Sequence, residues 1–147
     1  MLHTDPRLIV PSVFISYSSN DLVKVERLAE ALGQEPDITV WLDTVNIYPG
    51  DDFLEEMKHG IRGADKIIIC LSPSFNKKPP VSWVKKELKM AMLRETETGK
   101  GIIIPVRIKS GGRIPEEIGT KAYADLSTKN RWKRNLPRLI EAIRRPS

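Results

Sequence analysis

Short apolar runs alternate with amphipathic stretches along nearly the whole chain. Ser12–Ser16, Ile38–Leu42, Lys66–Leu71, Gly101–Val106 and a weaker Ala122–Leu126 read as strands. The run Lys66–Leu71 is apolar without alternation, the pattern of a strand whose two faces are both covered in a parallel sheet. Between these runs the spacing turns helical. Leu22, Val25, Leu28, Ala29 and Leu32 share one face of a helix ending near Gly33, after a polar run, Tyr17–Asp21, rich in helix-capping side chains. Asp51 or Asp52 can cap a helix carrying Phe53, Met57 and Ile61. Val84, Leu88, Ala91 and Met92 mark a third helix with no breaker until Gly99, and Leu139, Ile140 and Ile143 mark the last. Pro137 fits that last helix only in its first turn. Thr44–Gly50 reads as a loop with a Pro49-Gly50 turn, Ser72–Pro80 as a loose basic loop, and Ser110–Pro115 as a Gly/Pro-rich connection.

Five strand–helix alternations with short connections predict an α/β fold. The simplest form is a five-stranded parallel doubly wound sheet, flavodoxin-like, in the order 2-1-3-4-5. Residues 1–11 read as a lead-in and 12–147 as one domain. In such sheets ligands bind outside the carboxyl ends of the strands, at the switch point between the first and third. That places Ser16–Asn20, Asp43–Gly50 and Ser72–Pro80 around the expected crevice. Trp83 and Glu87 follow the third of these, four residues apart on a stripe about 60–100° to the side of the apolar one. A large aromatic and a carboxylate are therefore expected together at the crevice rim. Taken alone, that helix fits an edge tryptophan packing down beside a solvated glutamate better than a site.

Composition narrows the function. With 147 residues, 40% of them hydrophobic, the chain can bury a real core, and no apolar run approaches the ~18 residues of a membrane span. The start of the chain lacks the pattern of a signal peptide. Cys70 is the sole cysteine and His3 and His59 the sole histidines, so no disulfide and no His/Cys metal cluster is expected; a reducing, cytoplasmic setting is. The net charge of +5 is concentrated late, in residues such as Lys129, Lys133, Arg134 and Arg138, with only Trp132 among them. That argues for a solvated face rather than a nucleic-acid surface, although a basic surface helps to draw in an anionic ligand. No GxGxxG, GxxxxGK[ST] or GxSxG motif is present. The acidic pair and aspartate of a phosphoacceptor receiver are replaced by Ser16-Tyr17-Ser18 and Leu71-Ser72.

Three ordered stretches resemble one family. Val13–Asp21 is similar to the opening strand motif of TIR (Toll/interleukin-1 receptor) domains. Val40-Trp41-Leu42-Asp43 with Pro49–Phe53 is similar to their second strand, BB loop and following helix. Ile67–Phe75 with Trp83-x-x-x-Glu87 is similar to their third strand and WxxxE helix. The resemblance runs from about Ser12 to Ile143 and looks most like prokaryotic members.

This resemblance implies an enzyme that cleaves NAD⁺ as substrate at the nicotinamide–ribose bond, with no separate cofactor or metal. Its products would be nicotinamide and ADP-ribose or a cyclic variant. Glu87 matches the catalytic glutamate. Ser16, Tyr17, Ser18, Asp43, Tyr48 and Trp83 are the implied substrate-binding positions. Where other members carry arginine after the motif's tyrosine, this chain has Ser18 and Ser19. Phosphate contact would fall to hydroxyls, helix-cap amides, or Lys77 or Lys78. Trp41 and Cys70 are expected to be packing residues. The resemblance further implies an immune or cell-suicide effector activated by self-association through the BB loop, and the chain reads as an effector domain that a longer protein could carry, with its sensor domain or partner elsewhere. Two rival readings stand beside it: a non-catalytic TIR–TIR interaction module, and a nucleoside deoxyribosyltransferase-like enzyme.

Overall fold

The computed structural model describes residues 11–42, 63–77, 93, 95, 102–116 and 121–145. Strand β1 (Ser12–Ser16) is followed by a 3₁₀ turn (Ser19–Asp21) and helix α1 (Leu22–Gly33), then β2 (Thr39–Trp41). After β3 (Lys66–Leu71) come a short helix, α2 (Pro73–Lys77), and β4 (Ile103–Arg107). The chain closes with β5 (Ala124–Asp125) and α3 (Lys129–Arg144). The five strands form one sheet in the order β2-β1-β3-β4-β5, with every pairing parallel. The expected topology is thus the observed one.

Strand β3 lies at the centre, and all six of its residues are buried. Its alternate side chains feed two cores. On one face Ile68 and Cys70 join Val13, Ile15 and Val106 beneath α1 (Val25, Leu28, Leu32) and α3 (Leu139, Ile143). On the other, Ile67, Ile69 and Leu71 pack with Phe14, Ile103 and Phe75. Trp41 stacks on Phe14 at 5.1 Å between ring centroids, as its expected packing role requires. Each large apolar side chain so buried contributes about 1.5–3 kcal/mol. Cys70 is wholly enclosed, and burial, aided by the nearby Asp21 charge, pushes its thiol pKa far up, so it is a small core residue and no nucleophile.

Pro105 occupies a strand interior, a position that normally loses a ladder bond. The geometry avoids the loss. The Arg107 carbonyl accepts from Leu126 N–H at 2.9 Å, so Arg107, and with it Pro105 two residues earlier, face β5. Pairing with β5 begins only at Val106, so no β5 residue lies opposite the missing N–H.

Two readings of the sequence are corrected. The first is that Pro137 sits deep inside α3, not in its first turn. The helix starts early because Thr128 caps it, its side-chain oxygen accepting from Arg131 N–H at 3.2 Å. Trp132, Leu136, Leu139, Ile140 and Ile143 then carry one apolar stripe across the proline. Pro137 itself is exposed, so its ring meets solvent, and burial of the stripe offsets the one helical bond it removes. The second is that Ser72–Pro80 is not wholly loose, because Pro73–Lys77 is helical. Ser72 caps this turn, accepting from Phe75 N–H at 3.0 Å, Pro73 sits where a missing donor costs nothing, and Phe75 is buried.

Beyond β4 the chain folds back onto the end of β3. Ile108 N–H donates to the Leu71 carbonyl at 2.9 Å. Gly111 takes φ +86°, and a Cβ on Gly112 would lie 2.6 Å from the Leu71 carbonyl carbon and oxygen. At the opposite edge of the sheet, helical Glu95 accepts from the N–H groups of Ile102 and of Ile103 (2.8 Å) and meets Lys121 Nζ at 2.9 Å. Burial alone would raise the Glu95 pKa, but the two backbone donors and the Lys121 ammonium outweigh it and hold the carboxyl below its ordinary value.

Two outcomes follow for stability. Gly112→Ala forces backbone against backbone and should cost about 1–3 kcal/mol in urea unfolding; a change under about 0.5 kcal/mol contradicts the close approach. Glu95 contributes stability above its ordinary pKa of 4.5, and that contribution is lost as pH falls through the lower folded value. Glu95→Gln should therefore destabilise by about 1.5–3 kcal/mol at neutral pH. The gap to wild type should close in acid, and unfolding curves with a pH-independent gap would contradict the assignment.

Candidate active site

Because the strands are parallel, β1, β3 and β4 all end on the same edge of the sheet, and three polar segments meet there. Ser16, Tyr17 and Ser18 leave β1 half-buried, with Ser16 opposite Ile69 of β3 and Tyr17 packed against the core beneath α1 and α3. Ser72 leaves β3 fully buried. Lys109 follows β4.

Asp21, at the start of α1, joins them. Its side chain is fully buried, yet it does not cap α1 as the polar run suggested. One carboxylate oxygen accepts a short hydrogen bond from Ser72 Oγ, and the other faces Lys109 Nζ as an ion pair at 2.7 Å. The start of α1 is held instead by the 3₁₀ turn, Asp21 N–H donating to the Ser18 carbonyl at 2.8 Å. Ser72 is therefore a relay that donates to Asp21 and accepts from Phe75 N–H.

Neighbouring ties brace the same edge. Asn76 and the Arg113 backbone exchange two hydrogen bonds, Nδ2 to the carbonyl at 3.0 Å and N–H to Oδ1 at 2.8 Å. Asn20 Nδ2 reaches Ser74 Oγ at 3.5 Å. The result is a braced carboxyl edge that carries the half-buried hydroxyl residues Ser16, Ser18 and Ser74. Such groups can hydrogen-bond a polyol or a phosphate; the Asp21 carboxylate, with both oxygens engaged, serves as a fixed structural charge.

Of the residues singled out from the sequence, Ser16, Tyr17 and Ser18 stand at this edge, and Lys77 is exposed at the end of α2. Asp43, Tyr48, Trp83, Glu87 and Lys78 lie outside the described residues, as does the Thr44–Gly50 loop. The Asp21–Ser72–Lys109 cluster was not anticipated. Its signal in the sequence is faint: a serine directly after one apolar run, a lysine three residues beyond another, and an aspartate that also suits a cap. Among the described residues no group of His, Cys, Asp or Glu is arranged to hold a metal ion, and no helix is long and apolar enough to cross a membrane.

A family model described as "TIR domain" matches residues 13–140. A 2′ cyclic ADP-D-ribose synthase from Bacteroides thetaiotaomicron, BtTIR, is 35% identical over 94 residues, 63% of this chain. The match spans only 31% of that relative's length. Among solved structures, the TIR domain of the Toll-related receptor TRR-2 from Hydra magnipapillata superposes with a TM-score of 0.70. It is 21% identical, and the match covers 90% of this chain and 98% of that one. A 2-deoxyribosyltransferase from Bacillus psychrosaccharolyticus shares the fold more distantly, with a TM-score of 0.55 at 14% identity over 81% of this chain and 88% of its own.

The buried cluster generates its own test. Lys109→Met leaves the Asp21 carboxylate in place without its cation and should destabilise the chain by about 1–3 kcal/mol in urea unfolding. Asp21→Asn in the same background should recover part of that loss, since an amide needs no counter-charge. Equal stability of wild type and Lys109→Met would show that the ion pair does not hold this edge.

Proposed function

The chain belongs to the TIR-domain family, and from that premise we propose that it is an NAD⁺-cleaving member of prokaryotic type, with Glu87 as the catalytic carboxylate. The observation that carries the reading is the parallel sheet in the order β2-β1-β3-β4-β5, with Ser16 and Ser72 at the carboxyl ends of β1 and β3, in a chain similar to a named cyclic ADP-ribose synthase.

The chemistry needs little more. As the bond between ribose C1′ and the nicotinamide nitrogen breaks, its electron pair leaves with nicotinamide, which departs neutral and needs no acid. The ribose becomes oxocarbenium-like, and one carboxylate held against it and its hydroxyls stabilises the developing charge. Trp83 supplies a wall beside the ring. Ser16, Ser18 and the backbone amides at the start of α1 would meet the phosphates, and Asp43 and Tyr48 would border the opening. Water, or a nucleophile of the substrate itself, then takes C1′, giving ADP-ribose or a cyclic product. The reading extends to a cytoplasmic effector of cell defence, switched on when copies of the domain associate and order the Thr44–Gly50 loop. An interaction module without catalysis would share the fold and release no nicotinamide.

Glu87→Gln should lower nicotinamide release more than tenfold with an unchanged melting curve; activity retained above a tenth of wild type removes Glu87 from the chemistry. NAD⁺ turnover per molecule should also climb across about a hundredfold range of protein concentration. The rise should flatten in a Tyr48→Ala/Ile47→Ser variant. A flat line for wild type, or an undiminished rise in the variant, would remove association through this loop from the mechanism.

A further inference from the structure

A depression opens on the same edge of the sheet, on the face covered by α1 and α3. Its volume is about 530 Å³, and its walls include Lys24 and Arg27 of α1 and Ser127, Lys129 and Trp132 at the start of α3. That volume falls within the ~300–1,000 Å³ of small-molecule pockets. Three cations line it, and no carboxylate does.

The neighbouring cations are treated differently. Arg107 and Arg131 both meet the Asp125 carboxylate, at 3.2 and 3.3 Å. Asp125 is further occupied by the Ser127 N–H at 2.9 Å. Among the described residues Lys24, by contrast, makes only a long contact of 3.4 Å to the Ile108 carbonyl, and Arg27 and Lys129 form no ion pair. Among the described residues Lys24, Arg27 and Lys129 thus have no ion-pair partner, while Asp125 is shared by two other arginines. Trp132 is half-buried against the core, so its ring is fixed while part of it remains accessible.

The start of α3 adds donors. Thr128 takes up only the Arg131 N–H, and the first N–H groups of a helix have no partner within it. A fixed aromatic face beside cations and free amides suits a ligand with a flat ring and an anionic group. We propose that this depression binds a phosphorylated nucleoside, its base against Trp132 and its phosphate between Lys24, Arg27 and Lys129. The site is separate from the β1/β3 switch point and does not depend on the chemistry proposed there.

The test uses AMP as the probe, with adenosine and inorganic phosphate as separate arms, on the full chain carrying Glu87→Gln. Binding is measured by calorimetry, and the occupied site is read from the indole N–H resonances of the three tryptophans, Trp41, Trp83 and Trp132. The expected result is one AMP per chain, a shift confined to the Trp132 indole, and at least tenfold weaker binding of adenosine and of phosphate. Lys24→Glu/Arg27→Glu should weaken AMP at least tenfold with its melting temperature kept; if that variant fails to fold, Lys129→Glu makes the same test. No saturable AMP binding, a shift at Trp83 in place of Trp132, equal binding of phosphate alone, or affinity unchanged by charge reversal would each overturn the proposal. Nicotinamide release is not among the readouts, so failure of the NAD⁺ reading leaves this result standing.

Discussion

The Asp21 carboxylate is the point on which the carboxyl edge of the sheet is assembled. It comes from the start of α1, bonds the residue that ends β3, and faces the lysine that follows β4. Burying such a charge is costly unless it is paired and hydrogen-bonded, so the segments after three strands must all be in register for the fold to tolerate it. The Gly111-Gly112 turn serves the same end, since only a missing Cβ lets the chain beyond β4 lie on the Leu71 carbonyl. An edge braced by these ties does not have to be organised by a ligand.

The parts of the fold that rest on periodicity were legible in the sequence. Strands β1 and β3 and helix α1 have the limits their apolar runs suggest, because a doubly covered parallel strand and a one-faced helix leave unambiguous patterns. The elements that shifted are those governed by single contacts. Helix α3 runs through Pro137 because Thr128 fixes its start and the apolar stripe continues past the ring. Helix α2 exists because Ser72 caps it and Phe75 is buried. Asp21 abandons the cap for a tertiary partner more than fifty residues away, which no local rule can foresee. The candidate site divides in the same way: the strand-end position of Ser16, Tyr17 and Ser18 followed from topology, whereas the Asp21–Ser72–Lys109 cluster required the packed structure.

The carboxyl edge thus presents two regions of different character. Over the β1/β3 switch point the lining is hydroxyl-rich and braced by a neutralised carboxylate. Between α1 and α3 it is cationic and aromatic. Both linings come from short polar segments near the strand ends: Ser16–Asp21 at the end of β1, Ser72 after β3, and Ser127 and Thr128 after β5. A family fold built this way can change chemistry by altering those few residues while the two cores stay as they are.

The central claim is that this chain breaks the bond between nicotinamide and ribose. It is tested most directly by following NAD⁺ and all of its fragments by proton NMR in a concentrated solution of the purified wild-type chain. The account predicts one free nicotinamide for each NAD⁺ consumed, with the pyrophosphate intact in the remaining product. NAD⁺ that persists unchanged, or that yields AMP and nicotinamide mononucleotide, would contradict it.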